Sequence, residues 1–180
     1  MSKRRALSPL ILVTGGARSG KSRFALDRAA ELGPPRVFVA TAEAGDEEMA
    51  ARIARHRADR PRGWRAVEEP RRLAQALRRC EGGVVLIDCL TLWLANLMSD
   101  DSNFDPAPSL EELLRVLRAR RAAVVVVTNE VGSGIVPESP LGRAFRDGAG
   151  VMNQRVAEAA DEVYLVVAGR GLRIKERGVT

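Results

Sequence analysis

Cysteine is scarce. Cys80 and Cys89 are the only two in 180 residues, and no metal-ligand spacing relates them to each other or to a cluster. That argues against a disulfide framework or a zinc site and makes the cytoplasm the natural compartment. No apolar run approaches the roughly 18 residues that cross a bilayer, so no membrane span is expected. Aromatic residues make up 4 % of the chain and are not interleaved with its basic residues, so no base-stacking surface is legible. Histidine occurs once, as His56, and lysine three times against 26 arginines. The arginines are dispersed among 23 acids, so the net charge of +6 reads as a solvated, arginine-biased surface. An anionic substrate accounts for part of the excess, and no sequence-specific nucleic-acid partner is expected.

What is present is an alternation of short apolar runs and helical patterns. Leu10 to Val13, Val37 to Thr41, Val84 to Asp88, Ala123 to Thr128 and Val163 to Val167 read as buried strands, and Leu172 to Lys175 as an edge strand. Helices are expected from Lys21 to about Leu32, from an Asp46 cap to about Arg60, from Pro70 to about Cys80, and over Thr91 to Met98. Two more are expected over Leu110 to Arg121 and Val151 to Ala160, with exposed loops at Ser99 to Ser109 and Gly132 to Pro140. The basic start, Met1 to Arg5, followed by the apolar run Leu7 to Val13, has the order of a secretory leader. Ser8 and Pro9 interrupt the run, and it leads into a glycine loop, so residues 1–9 are expected to be a short flexible tail. With no internal repeat and no dividing linker, residues 1–180 are expected to form one α/β domain, a mostly parallel sheet with helices on both faces.

Between the first strand and the first helix lies Gly15-Gly16-Ala17-Arg18-Ser19-Gly20-Lys21-Ser22, the pattern G-x-x-x-x-G-K-S. Small residues let backbone N–H groups turn inward around phosphate oxygens, and the helix N-terminus adds its positive end. Lys21 is placed to reach the β- and γ-phosphates and Ser22 to ligate Mg²⁺. Lys21 is expected to be exposed when no nucleotide is bound. Asp88 ends a buried strand, where an acid is costly unless paired or near a metal; it reads as a second magnesium-associated position or as a cap for the helix after it. This order of elements predicts a P-loop NTPase fold of RecA-like type. The loop does not say what the nucleotide is for. Thr128-Asn129-Glu130 is not the N-K-x-D signature of guanine-specific switch proteins, and His56, on spacing alone, sits at the edge of an apolar helix face and reads as structural.

Two further segments are more specific. One is Asp46 to Pro61, DEEMAARIARHRADRP, with Trp64 and Glu68 after it. The other is Val126 to Pro137, VVTNEVGSGIVP, followed by Phe145-Arg146-Asp147 and Asn153-Gln154-Arg155. With ILVTGGARSGKS (Ile11 to Ser22), they resemble the bifunctional adenosylcobinamide kinase / adenosylcobinamide-phosphate guanylyltransferase of cobalamin biosynthesis, from Ile11 to about Lys175. The resemblance implies phosphorylation of adenosylcobinamide by GTP or ATP. Transfer of GMP from GTP to adenosylcobinamide phosphate then follows through a GMP-histidine intermediate. It places that histidine at His56 and makes Lys21 the other catalytic group. Further nucleotide contacts fall on Gly15 through Ser22, on Ala40, Thr41 and Ala42, on Arg57, Ala58, Asp59 and Arg60, and on Glu68 and Asp88. Ser22 and Asp88 are the implied Mg²⁺ ligands, and a homotrimer is the implied assembly. A P-loop kinase without a covalent step and a nucleotide-switched binding module remain the competing readings.

Overall fold

A computed structural model describes residues 8–58, 62–99 and 105–176; the side chains of Arg52 and His56 also lie outside the described residues. In chain order the elements are β1 (Leu10–Gly15), α1 (Lys21–Glu31), β2 (Arg36–Ala40), α2 (Glu47–Ala58), β3 (Trp64–Glu68) and α3 (Leu73–Arg78). They continue with β4 (Val84–Asp88), α4 (Leu90–Met98), α5 (Ala107–Arg118), β5 (Ala123–Val127), α6 (Pro140–Ala159), β6 (Glu162–Val167) and β7 (Arg170–Lys175). The described strands form one sheet in the order β3-β2-β4-β5-β1-β6-β7. All neighbours pair in parallel except β6 and β7, which form an antiparallel hairpin. The central strands are apolar on both sides because both sides are covered. Alternate residues of β1, β2, β4 and β5 pack against α1 on one face and against α3, α4, α5 and α6 on the other. Among the described residues, no helix is long and apolar enough to cross a membrane.

The structure departs from the sequence reading at several places. β3 was not anticipated: WRAVE is largely exposed and carries charge at Arg65 and Glu68, so it lacks the continuous apolar run that marks the inner strands. α3 begins at Leu73 and not at Pro70. The Glu69 carboxylate accepts from the N–H groups of Arg71 and Arg72, while the Pro70 and Arg71 carbonyls accept from Asn96 and Trp93 of α4. Those bonds hold residues 70–72 in a turn. α5 starts a turn earlier than expected, where Asp105 accepts from Ala107 N–H. α6 is twice the expected length. Its start is marked by Ser139, whose Oγ accepts from Gly142 N–H, and by Pro140 in the first turn. The glycines at 142, 148 and 150 break the apolar pattern of its first half, so only the second half was legible.

Ser8 and Pro9, expected within a flexible tail, are instead tied to the body. Ser8 Oγ donates to the Arg121 carbonyl at 2.7 Å, and the Pro9 carbonyl accepts from Val124 N–H at 2.9 Å. Arg120 anchors the same corner. Its guanidinium donates to the Ser8 and Leu117 carbonyls and pairs with Asp161, whose Oδ2 also accepts from Leu10 N–H at 2.8 Å. Arg120 is 7 % exposed, so this pair is shielded from solvent. Asp161→Ala leaves a buried guanidinium and the Leu10 N–H at the start of β1 short of an acceptor. It is expected to destabilise the fold by about 3 kcal/mol, read as a lower denaturant midpoint at unchanged slope. A change below about 0.5 kcal/mol, the range of ordinary surface substitutions, would show that the corner is held by other contacts.

Candidate functional site

The turn from β1 into α1 is built around an absence of side chains. A Cβ on Gly15 would lie 2.5 Å from the Val166 carbonyl oxygen and 2.8 Å from Ser19 Oγ, closer than real contacts allow. Gly20, the N-cap of α1, has φ of 91°, which disfavours any L side chain, and its Cβ would meet the Gly169 backbone at 3.0 Å. Arg18 also takes a positive φ, 55°. The loop is fixed by Ser19 N–H to the Gly16 carbonyl at 3.3 Å and by Gly169 N–H to the Ser19 carbonyl at 2.8 Å. Ser19 Oγ is buried without a hydrogen-bond partner. No side chain caps α1, so its first turn keeps donors directed out of the helix. Lys21, expected to be exposed, is buried at 8 % exposure. As the first residue of a helix lying on the sheet, it curls back over its own loop, and Nζ donates to the Gly16 carbonyl at 3.0 Å.

Strand alternation explains what gathers around Lys21. On the α1 face lie Phe38 and Ala40 of β2, Trp64 of β3, Val84 and Leu86 of β4, and Val125 and Val127 of β5. Carried two residues further along each chain, the alternation puts Ala42, Asp88 and Asn129 on the same face, and Glu68 joins them from the end of β3. Ala40, Ala42, Glu68, Asp88 and Asn129, with Lys21 and Ser22, line a cleft at the carboxyl ends of the strands. Its far wall is α2, which presents Met49 and Ile53, one turn apart. Asp46 caps that helix, its carboxylate accepting from Met49 N–H at 2.7 Å. Arg57 of α2 reaches Glu68 at 3.4 Å across the cleft rim. Both are largely exposed, so the pair adds little stability.

The structure therefore brings together Lys21, Ser22, Ala40, Ala42, Glu68 and Asp88, with Arg57 at the rim. It does not bring Thr41. That residue has the opposite strand parity and is fully buried. Its hydroxyl both accepts from Cys89 N–H and donates to the Cys89 carbonyl, each at 2.8 Å. Its N–H and carbonyl are engaged with Asp88 and Asn96. Thr41 pins β2 to β4 and does not present a polar group to the cleft. Ala58 ends α2 and is exposed. Asp59 and Arg60 lie outside the described residues, as does the side chain of His56. By its backbone His56 belongs to α2, seven residues after Met49, which is about two turns along the same stripe.

Two cleft residues with polar side chains were missed in the sequence. Cys89 follows Asp88 and is buried; burial, and then the Asp88 carboxylate beside it, push its thiol up from the usual range, so at neutral pH it is a protonated thiol. Asn129 closes the cleft between β4 and β1. In the sequence it was weighed only as part of a missing N-K-x-D signature and of a longer match, although a T-N-E step directly after a fully apolar strand was a signal of its own. Behind it lies a polar network: Thr128 Oγ1 donates to Asn153 Oδ1 at 2.7 Å, and Asn153 Nδ2 donates to the Asn129 carbonyl and to Glu130. Glu130 also accepts from Thr14 Oγ1 at 2.9 Å, and its N–H reaches the Gly15 carbonyl. Hydrogen bonds thus tie the first residue of the phosphate loop to the end of β5.

Among known proteins, residues 11–174 match the family described as cobinamide kinase / cobinamide phosphate guanyltransferase. The bifunctional adenosylcobalamin biosynthesis protein CobP of Pseudomonas aeruginosa is 46 % identical over 166 residues, covering 91 % of this chain and 96 % of that protein. The protein CobU of Escherichia coli, with the same description, is 44 % identical over 181 residues, covering 92 % and 99 %. Among solved structures, the RadB recombinase is similar at a TM-score of 0.52 and 18 % identity, covering 88 % of this chain and 75 % of that one. The flagellar accessory protein FlaH of Methanocaldococcus jannaschii is similar at a TM-score of 0.51 and 11 % identity, covering 94 % and 79 %. At such identities the likeness speaks for the fold alone, a RecA-like P-loop sheet.

Replacing Lys21 removes the cation at the centre of this cleft. Lys21→Ala is expected to lower nucleotide-dependent turnover by about 10²-fold or more while far-ultraviolet circular dichroism stays that of the wild type. Turnover within a few-fold of wild type in a folded variant would show that the phosphates are held elsewhere.

Proposed function

This chain belongs to the cobinamide kinase / cobinamide phosphate guanyltransferase family, and from that premise we propose how its cleft carries out both reactions. The protein is a bifunctional enzyme of cobalamin biosynthesis. In the first reaction the aminopropanol hydroxyl of adenosylcobinamide attacks the γ-phosphorus of GTP or ATP, and the nucleoside diphosphate leaves. In the second, GMP passes from GTP to the new phosphate, giving adenosylcobinamide-GDP. The observation that carries this reading is the convergence of Lys21, Ser22 and Asp88 in one cleft whose wall is the helix bearing His56. The loop N–H groups and Lys21 hold the triphosphate. Ser22 from α1 and Asp88 from the end of β4 offer a hydroxyl and a carboxylate to the same cleft. Hard oxygen donors so few in number suit Mg²⁺, which keeps phosphate and water ligands. Bound there, the ion would neutralise charge on the phosphates. Ala40 and Ala42, small and on the cleft face, leave room for the nucleoside.

His56 is assigned as the nucleophile of the second reaction. Its neutral imidazole attacks the α-phosphorus, the bond to the α–β bridging oxygen breaks, and pyrophosphate leaves. The corrinoid phosphate then displaces the histidine from GMP. Two observations support this assignment. α2 forms the cleft wall through Met49 and Ile53. Cys89, the cleft's cysteine among the described residues, is held as a neutral thiol and is a poor competitor. Arg57 at the rim, with Ala58, Asp59 and Arg60 after it, belongs to the segment that would meet the nucleotide when His56 acts. Assembly as a homotrimer rests on the family resemblance. An uncovered strip supports it: Val167, Leu172 and Ile174 are each more than half exposed and lie on one face of the β6–β7 hairpin. The cytoplasm is the assigned compartment, in keeping with two free cysteines.

The assignment predicts that His56→Ala separates the two activities. The variant should still make adenosylcobinamide phosphate, within about tenfold of the wild-type rate. It should form no covalent GMP adduct and no adenosylcobinamide-GDP. Intact-mass spectrometry after incubation with GTP, beside product analysis for each step, makes the comparison. A GMP adduct on the variant would move the nucleophile to another residue; loss of the first step in a folded variant would make His56 part of a shared binding site.

A further inference from the structure

Asn129 is the one uncharged side-chain amide on the cleft wall among the described residues. Its orientation is fixed from two directions. Nδ2 donates to Thr91 Oγ1 at 2.5 Å and approaches Cys89 Sγ at 3.6 Å. The Asn129 carbonyl accepts from Asn153 Nδ2 at 3.1 Å, and through Asn153 and Glu130 the residue is coupled to Thr14 and the start of the phosphate loop. Thr91 is buried and lies 3.2 Å from Cys89 Sγ; giving its hydroxyl hydrogen to that sulfur leaves its oxygen to accept from the amide. With Nδ2 committed to the wall, Oδ1 is the remaining polar atom of the side chain, and no donor among the described residues reaches it.

An acceptor fixed at this point restricts what can sit against it. Asn129 stands two residues beyond Val127, which is level with Val13 of β1 and Asp88 of β4. It therefore flanks the end of the triphosphate that Lys21 grips. A phosphate oxygen carries no hydrogen and would be repelled by Oδ1. A hydroxyl between the two satisfies both, giving its hydrogen to Oδ1 and turning a lone pair toward phosphorus. We propose that Asn129 orients the attacking hydroxyl of the alcohol acceptor in the phosphoryl-transfer step, with Thr91 as the residue that fixes the amide. This rests on the kinase reading of the cleft given above. The hydroxyl oxygen bonds to the γ-phosphorus, and the bond from that phosphorus to the β–γ bridging oxygen breaks with its electron pair on the leaving diphosphate. The hydroxyl proton passes through a phosphoryl oxygen to water. Asn129 takes no proton; an amide is too weak a base, and its contribution is alignment. Attack at the α-phosphorus happens two phosphates further along the chain from Asn129 and does not use it.

The test compares wild type, Asn129→Ala and Thr91→Val, the latter a near-isosteric change that removes the acceptor for Nδ2 together with the hydroxyl's bond to Cys89 Sγ. With adenosylcobinamide as acceptor, Asn129→Ala is expected to lower kcat for phosphorylation by about 10²-fold and Thr91→Val by about tenfold. Nucleotide affinity, read by titration, should change less than about threefold, and covalent GMP-adduct formation from GTP alone should continue at the wild-type rate. Slow hydrolysis of the γ-phosphate, in which water replaces the alcohol, should fall in the same order. A kcat within threefold of wild type in Asn129→Ala would overturn the proposal. So would a loss matched by weaker nucleotide binding or a slowed GMP adduct, since a merely structural residue would move all three together. If wild type does not phosphorylate adenosylcobinamide, the function proposed above fails. The hydrolysis comparison then still decides whether Asn129 aligns the nucleophile.

Discussion

The backbone of the β1–α1 turn is the constraint on which the rest of the molecule depends. Gly15 has no room for a side chain between the Val166 carbonyl and Ser19, and Gly20 holds a positive φ against Gly169. These close approaches place Lys21 over its own loop and leave the first turn of α1 uncapped. Because β1 is an inner strand, paired with β5 on one side and β6 on the other, the loop is carried on the stiffest part of the sheet. The hydrogen-bonded link from Gly15 and Thr14 to Glu130, and on to Asn153 of α6, extends that stiffness to the neighbouring strand end. A cleft that must align reacting atoms to within a fraction of an ångström requires such support.

Two reactions at different phosphorus atoms ask different things of one cleft. Phosphoryl transfer needs the γ-phosphate clamped and a hydroxyl aimed at it, and the rigid side of the cleft, with Lys21, Ser22, Asp88 and Asn129, is suited to that. Guanylyl transfer needs a nucleophile at the other end of the triphosphate chain. The proposed His56 comes from α2, which meets the cleft through Met49 and Ile53 and through the exposed Arg57–Glu68 pair. Such light attachment suits a helix whose nucleophile must serve a second phosphorus without disturbing the first site. The protonated state of Cys89 fits the same division, because a thiolate in the rigid half would compete for the nucleotide.

The central strands were legible because they are apolar on both faces, and the phosphate loop because its lysine and serine stand in register after a strand. β3 was hidden, since an edge strand with one solvent-facing side needs no apolar run. The first half of α6 was hidden by Gly142, Gly148 and Gly150; Gly142 lies against Pro137, where a Cβ would come within 2.7 Å. Thr41 was assigned to the nucleotide by resemblance, yet strand parity, with Ala40 and Ala42 on the α1 face, already implied that it points the other way. Asn129 had the opposite fate. Its chemistry depends on partners at Thr91 and Asn153, far apart in sequence, and no local pattern reveals that its amide is fixed.

In the proposed scheme one cleft takes both the terminal phosphoryl group and the nucleoside monophosphate from the same class of nucleotide. That scheme is tested most directly by following each phosphorus separately through the wild-type enzyme. Two samples of GTP, one labelled at the α- and one at the γ-phosphorus, are supplied with adenosylcobinamide, and label is followed over time in protein and in corrinoid. The account predicts γ-label in adenosylcobinamide phosphate and α-label first on the protein, then in adenosylcobinamide-GDP, with the protein-bound label chased by unlabelled adenosylcobinamide phosphate. α-Label that reaches the corrinoid without passing through the protein, or a protein adduct that cannot be chased, would contradict it.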